Sequence, residues 1–259
     1  MNMKNSNTGI SLVKREFQVQ VYELDMNSKA TMASICNYLQ ESGITHGMML
    51  MDKAGISAED LVFVLTRLQV RMLRYPLWKE KVVISTWLSP IINRYAIRNF
   101  IIETENGETL GLAINSAVPF NLKNRSGSNI EIDVSGVETL EREAPLLHIF
   151  EKLESPVTPQ FTASIEASYS HCDLYRHVNN VKYIEWCLDT VPEDIYRTHE
   201  LHEIDINFRS EGNCGDRLTV GSKQSVNNSS AFIHGISNPS NGRELVRMKS
   251  VWKEHSSSQ

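Results

Sequence analysis

The chain has 259 residues, 41% of them hydrophobic and 22% charged, with only 13 Gly and 8 Pro. That is enough apolar material to bury a core in one large domain or two small ones, and it excludes a chain disordered throughout. The net charge of −5 argues against a protein-wide nucleic-acid surface, and no apolar run approaches the length that crosses a bilayer.

The start of the chain, Met1 to Ser11, is polar and has no apolar h-region, so it reads as a frayed lead-in and not a signal peptide. Cys36, Cys172, Cys187 and Cys214 lie without CxxC spacing. Free thiols in a cytoplasmic protein are the plain reading. No ligand cluster, P-loop or GxGxxG is present, so neither a metal nor an organic cofactor is expected.

Thr31–Met51 has helical spacing, with Ile35, Leu39, His46 and Leu50 near one face. His46 reads as a core histidine, and Met48, Met49 and Met51 as packing or as lining for apolar space. A strand with one apolar face follows, carrying Val62, Val64, Leu68, Val70 and Met72. Further strands are predicted over Lys81–Leu88, Arg94–Glu103 and Leu110–Leu122. Asn106-Gly107 supplies a hairpin turn between the last two, and Pro119 marks a bulge or an edge. The second half repeats the order. Phe161–Ser170 reads as a strand, and a helix runs from about Val178 until it stops near Pro192. Strands over Glu203–Ser210, Arg217–Val226, Ala231–Asn238 and Glu244–Lys253 follow, with Asn227-Asn228 and Asn241-Gly242 at the turns. The tail from His255 to Gln259 reads as frayed.

Each half is thus a strand, a helix and four strands in meander order, with the helices roughly 140–150 residues apart, too long a period for a solenoid. A helix with one apolar stripe buries it by being wrapped in a curved antiparallel sheet, which is a hotdog unit. The expected fold is α+β: two tandem hotdog units over residues 12–134 and 160–254, joined by a linker over 135–159, with the two sheets paired edge to edge to remove exposed edges.

The most polar segment between a strand and a helix is 171–180, His-Cys-Asp-Leu-Tyr-Arg-His-Val-Asn-Asn. Asp173 and His177 can bring a carboxylate and an imidazole to one small volume, beside the unpaired N–H groups of a helix N-terminus. That suits a carbonyl whose oxygen gains charge as it is attacked. Alone, such a pair is a weak signal, because an Asp before a helix is more often just an N-cap.

Asp173 through Trp186, DLYRHVNNVKYIEW, resembles the Asp-x-Asn-x-His-Val-Asn-Asn-x-x-Tyr-Ile-x-Trp signature of plant and bacterial acyl-ACP thioesterases. Arg67-Leu68-Gln69-Val70, Arg74-Tyr75-Pro76-Leu77-Trp78, Ile84-Ser85-Thr86-Trp87 and Asn207-Phe208-Arg209-Ser210-Glu211 are similar to landmarks of the same family, in the same order over about residues 15 to 253. The resemblance implies hydrolysis of an acyl–phosphopantetheine thioester with acyl carrier protein as partner. It implies Asp173 and His177 as catalytic residues, Glu211 as the acid of the same network, and N–H groups near Val178 and Asn179 as oxyanion donors. It also implies that the N-terminal unit is the acyl pocket, with Met48 and Met49 as candidate lining and no equivalent of Asp173 and His177 on its helix. Two positions depart from the family pattern. Tyr175, a fourth catalytic candidate, stands where the family has Asn, and Gly212 where many plant members have Cys.

An acidic carrier needs a basic patch. Arg176 and Lys182 flank the candidate loop, and Arg67, Arg71, Arg74 and Lys79 cluster in sequence. Ordinary solvated charges are the competing reading. An acyl-CoA thioesterase of the same fold and a non-catalytic acyl-binding module remain as alternatives, and a homodimer is left open. A hotdog dehydratase matches the helix start less well.

Overall fold

The computed structural model describes residues 11–57, 61–89, 95–121, 140, 146 and 151–255. The chain divides into two compact units, Met1–Leu68 with Met72–Ile149, and Gln69–Arg71 with Phe150–Gln259. Of the expected linker, only residues 140, 146 and 151–159 lie among the described residues, and Arg94, Leu122 and the tail beyond His255 lie outside them.

In the first unit, β1 (Leu12–Gln18) leads through a single 3-10 turn (Val21–Glu23) to α1 (Met32–Lys53). There follow β2 (Leu61–Met72), β3 (Lys81–Leu88), β4 (Ala96–Thr104) and β5 (Thr109–Asn121). Thr31 caps α1, its side chain accepting from the Ser34 N–H at 3.1 Å. Ile35, Leu39, His46 and Leu50 are all buried, as the spacing predicts. Trp87, Phe100, Ile102 and Ile114 complete the sheet side of this core.

The strand order is β1-β3-β4-β5-β2. Only β3, β4 and β5 form the expected meander. β2 lies beside β5 and not beside β3, because residues 73–80 make a long connection and not a hairpin, and β1 takes the edge of β3 that is left. Gly107, at φ 86°, makes the β4–β5 turn. The irregularity in that pairing falls between Ile102 and Glu103, not at Pro119. Pro119 lies past Ala117, the last residue of β5 paired with β4 among the described residues.

In the second unit, β6 (Phe161–Glu166) is followed by a 3-10 turn (Tyr169–His171), α2 (Asn180–Leu188), α3 (Glu193–Thr198), β7 (His199–Phe208), β8 (Arg217–Gln224), β9 (Ala231–Asn238) and β10 (Arg243–Glu254). The order β7-β10-β9-β8-β6 repeats the plan of the first unit. The strand expected to reach Ser170 ends at Glu166 and gives way to the 3-10 turn. The helix expected to end near Pro192 ends at Leu188. Pro192 instead stands at the N-cap of α3, where a missing N–H is harmless, so α3 is an element the sequence reading missed. The four cysteines are free. No helix among the described residues is long and apolar enough to cross a membrane.

Candidate active site

Between the 3-10 turn and α2 the chain doubles back. Cys172 bridges Val178, the Asp173 N–H donates to the His177 carbonyl at 2.8 Å, and Arg176 N–H donates to the Asp173 carbonyl at 3.0 Å. The reversal places Arg176 at φ 66°, in the left-handed region. Asp173 organises the turn from within. Its Oδ1 accepts the N–H groups of Tyr175 at 2.9 Å and His177 at 3.2 Å. Oδ2 has no protein partner among the described residues. The capping role belongs to Asn179, whose side chain accepts from Val181 N–H at 2.9 Å. One oxygen of Asp173 therefore holds the turn.

Glu211 arrives from the loop between β7 and β8. The His177 Nε2 lies 3.4 Å from Glu211 Oε2, and both side chains keep access to solvent. The two loops are stitched by the backbone. His177 bridges Asn213, and Val178 N–H donates to the Gly212 carbonyl at 2.9 Å. Gly212 N–H donates to the Tyr183 hydroxyl of α2 at 2.8 Å. A Cβ at Gly212 would stand 2.8 Å from that hydroxyl and 2.9 Å from Leu245 Cδ2. Gly212→Cys is therefore expected to break the Tyr183 bond, loosen Glu211 from His177, and destabilise the chain by about 1–3 kcal/mol, read as a lowered denaturation midpoint. A midpoint equal to that of the wild type would show that the loop relaxes at no cost. Tyr183 and Gly212 are positioning residues that residue-by-residue reading missed. The Tyr of the helix motif was the available signal, and its target could not be read.

The first unit builds the same scaffold. Asp25 Oδ1 accepts from Asn27 N–H at 2.8 Å and Lys29 N–H at 3.0 Å. Ser28 has φ 61°, and Leu24 bridges Ala30 as Cys172 bridges Val178. Ala30 N–H donates to the Pro76 carbonyl as Val178 does to Gly212. Lys29 bridges Leu77 as His177 bridges Asn213. By this correspondence, Lys29 takes the place of His177 and Tyr75 that of Glu211. The helix of the first unit carries no equivalent of Asp173 and His177; the counterpart of Asp173 is Asp25, in the turn before the helix. The imidazole and second carboxylate are what the first unit lacks. An open cleft of about 570 Å³, lined by Lys29, Arg74, Tyr75, Leu77, Trp78, Lys79 and Glu80, lies at this turn.

Residues 11–136 match the family model of the acyl-ACP thioesterase N-terminal domain, and residues 154–254 match that of the C-terminal domain. The chain belongs to the acyl-ACP thioesterase family. A chloroplastic dodecanoyl-[acyl-carrier-protein] hydrolase from Cinnamomum camphora is 25% identical over 93% of this chain and 67% of its own length. A chloroplastic palmitoyl-acyl carrier protein thioesterase from Gossypium hirsutum is 28% identical over 92% of this chain and 63% of its own. The chain thus spans about two thirds of the length of these relatives. The crystal structure of an acyl-ACP thioesterase from Bacteroides thetaiotaomicron shares the fold at TM-score 0.82 and 22% identity, over 94% of this chain and 98% of that one.

Several residues expected from the family pattern lie differently. The Val178 N–H is spent on Gly212 and the Asn179 N–H on the His171 carbonyl at 2.9 Å, so neither is free for an oxyanion. The next N–H, that of Asn180 at the first turn of α2, has no acceptor among the described residues. Tyr175, at the family's Asn position, is half exposed at 50%. It joins the site through its backbone N–H. Met48 and Met49 are 58% and 37% exposed and do not line the unit's interior, whereas Leu50 and Met51 are buried. Arg67 is buried and is not a surface charge. Arg71 pairs with Glu203 at 2.8 Å, Arg74 with Glu80 and Glu108, and Lys182 with Glu185 at 2.7 Å. Lys79 lies over the Trp78 ring at 4.4 Å. Arg176 is exposed and has no acidic partner among the described residues. Cys172 sits against Cys214, and burial together with that neighbour raises its thiol above the ordinary range.

Proposed function

We propose that this chain hydrolyses fatty acyl–acyl carrier protein to free fatty acid and thiol carrier, with residues 160–254 performing the chemistry and residues 12–134 holding the acyl chain. One observation carries the reading. A single backbone scaffold, built on an Asp whose Oδ2 has no partner among the described residues, occurs in both units, and only the second furnishes it with an imidazole–carboxylate pair. Glu211 at Nε2 favours the tautomer with its proton on that nitrogen, which leaves Nδ1 as a base. Asp173 Oδ2 acts on the thioester carbonyl, directly or through a water it aligns. The carbonyl oxygen gathers charge near the Asn180 N–H and the positive end of α2. Collapse of the tetrahedral species breaks the C–S bond and the leaving sulfur takes a proton, which on the water route is the one the attacking water lost. On the direct route water then hydrolyses the acyl–Asp173 anhydride, releasing the fatty acid and restoring the proton to the site. Arg176 is the cation that meets the acidic carrier. The reaction is placed in the cytoplasm, and a homodimer is the assembly to look for.

Thiol release from dodecanoyl–carrier protein and dodecanoyl-CoA tests this reading. His177→Ala is expected to lower kcat by about 10²–10⁴-fold. Adding Glu211→Gln to it is expected to cost little more, because the acid acts through the imidazole. An undiminished rate in His177→Ala sinks the assignment, and a CoA thioester turned over as well as the carrier thioester removes carrier protein as the partner.

A further inference from the structure

Two cysteines flank the loops that carry Asp173 and Glu211, and the fold brings them to one another. Cys172 directly precedes Asp173, and Cys214 follows Glu211 in the loop between β7 and β8. The two loops meet over Ala167 and Ser168, just past the end of β6. The Ala167 carbonyl accepts from Gly215 N–H at 2.7 Å, and Ala167 N–H donates to the Asp216 carbonyl at 2.9 Å. On the next residue, the Ser168 carbonyl accepts from the Cys172 thiol at 3.6 Å. Cys214 sits inside a tight turn, closed by the Asn213 N–H donating to Asp216 Oδ2 at 2.8 Å and by Gly215 at φ 88°. The segment at His177 and Val178 ties both loops together again. Val178 bridges Cys172, and His177 bridges Asn213. The Cys172 and Cys214 side chains lie within hydrogen-bonding reach of each other.

The other two thiols are enclosed, Cys36 at 2% and Cys187 at 0% exposure, and burial pushes the Cys36 thiol up to about 12. Cys172 is half-buried and Cys214 exposed. The hydrolysis proposed above uses neither sulfur. The thiolate is the form that reacts, and burial, with the Cys214 sulfur second, raises the Cys172 thiol. Cys214 is therefore the sulfur a reagent meets first, and Cys172 is the neighbour placed to resolve what forms there.

We propose that Cys172 and Cys214 are a modification site for small-molecule disulfides, which convert the pair into a reversible disulfide across the two loops. The Cys214 thiolate attacks one sulfur of the reagent, forming a mixed disulfide and expelling one small thiolate. The Cys172 thiolate then attacks the Cys214 sulfur and expels the second. Two protein thiols give up two protons and two electrons, and the reagent leaves as two thiols. In a cytoplasmic protein such a bond is transient and redox-sensing, not structural. Forming it draws the sulfurs to about 2 Å, takes the Cys172 thiol off the Ser168 carbonyl, and shifts the backbone that carries Asp173. A misplacement of about 1 Å at a reacting group costs about 10²-fold in rate. The crosslink does not depend on the hydrolysis proposed above; its effect on rate does.

The test treats the reduced full chain with glutathione disulfide, removes the reagent and maps the thiols by peptide mass. A peptide pair joined through Cys172 and Cys214 is expected, with Cys36 and Cys187 free, and dithiothreitol should separate it. Dodecanoate release from dodecanoyl–carrier protein is expected to fall at least about ten-fold in the crosslinked chain and to return with dithiothreitol. Cys214→Ser should keep the basal rate, form no crosslink, and hold its rate within about two-fold through the same treatment. Separate glutathione adducts on the two cysteines, or thiols left free, overturn the site. A crosslinked chain with an undiminished rate overturns the effect on catalysis. A reduced chain that releases no dodecanoate sinks the hydrolysis reading instead, and the peptide masses still decide the crosslink.

Discussion

Asp173→Asn is expected to lower thiol release from an acyl–carrier substrate by about 10³-fold while leaving the thermal midpoint unchanged. The two halves of that statement come from the two oxygens. Oδ1 accepts the N–H groups of Tyr175 and His177, and an Asn side chain presents an equivalent carbonyl oxygen to the same donors, so the turn persists. The amide NH₂ replaces Oδ2, the oxygen without a protein partner, and it can neither attack a carbonyl nor accept a proton from water. Asp25→Asn is the matched control. It makes the same change in the same kind of turn, where Lys29 and Tyr75 stand in place of the imidazole and acid, and it should leave the rate unchanged. A folded Asp173→Asn protein with full activity would falsify the assignment, and equal losses in both variants would show that turn geometry, not charge, had been measured.

The elements that local pattern determines were legible. Lys81–Leu88 and Ala231–Asn238 form strands with the expected bounds. The buried face of α1 follows the spacing of Ile35, Leu39, His46 and Leu50. Strand order was not legible, because the placement of β2 beside β5 is a pairing between distant segments that alternation cannot encode. The same limit explains the site. Asp173 and His177 stand out as residue types, but whether the Val178 N–H is free depends on where Gly212 lies, and Gly212 is fixed by Tyr183 and Leu245.

The duplication was readable as an order of elements and unreadable as a site. Asp25 is the shared acid, yet Lys29 and Tyr75 carry none of the chemistry of His177 and Glu211. What repeats is a set of backbone hydrogen bonds that side-chain identity does not announce. Met48 and Met49 mislead in the opposite direction. Unbranched apolar side chains suit a pocket, but their positions on α1 face away from its buried stripe.

The second unit carries a titration that should dominate its acid stability. His234, in β9, is fully buried, with its Nε2 2.9 Å from the Ser250 hydroxyl. Burial drives its imidazole down from 6.5 to about 3. In the unfolded chain the same group titrates near its ordinary value, so between those two limits the unfolded state binds one more proton than the folded state. Stability therefore rises with pH across that window and is lost as pH falls through it, by up to about 1.4 kcal/mol per pH unit. By pH 4 the loss reaches about 3 kcal/mol. His234→Gln keeps a hydrogen-bonding group near Ser250 and removes the titration. Its denaturation midpoint should start below that of the wild type at pH 7 and fall less steeply toward pH 4. The carboxylates held low by arginines, such as Glu80 beside Arg74 and Glu244 beside Arg247, contribute the same acid loss to both proteins. The difference between the two curves isolates the imidazole. Parallel curves would mean that His234 gains its proton without opposing the fold, and the buried neutral histidine would have to be abandoned.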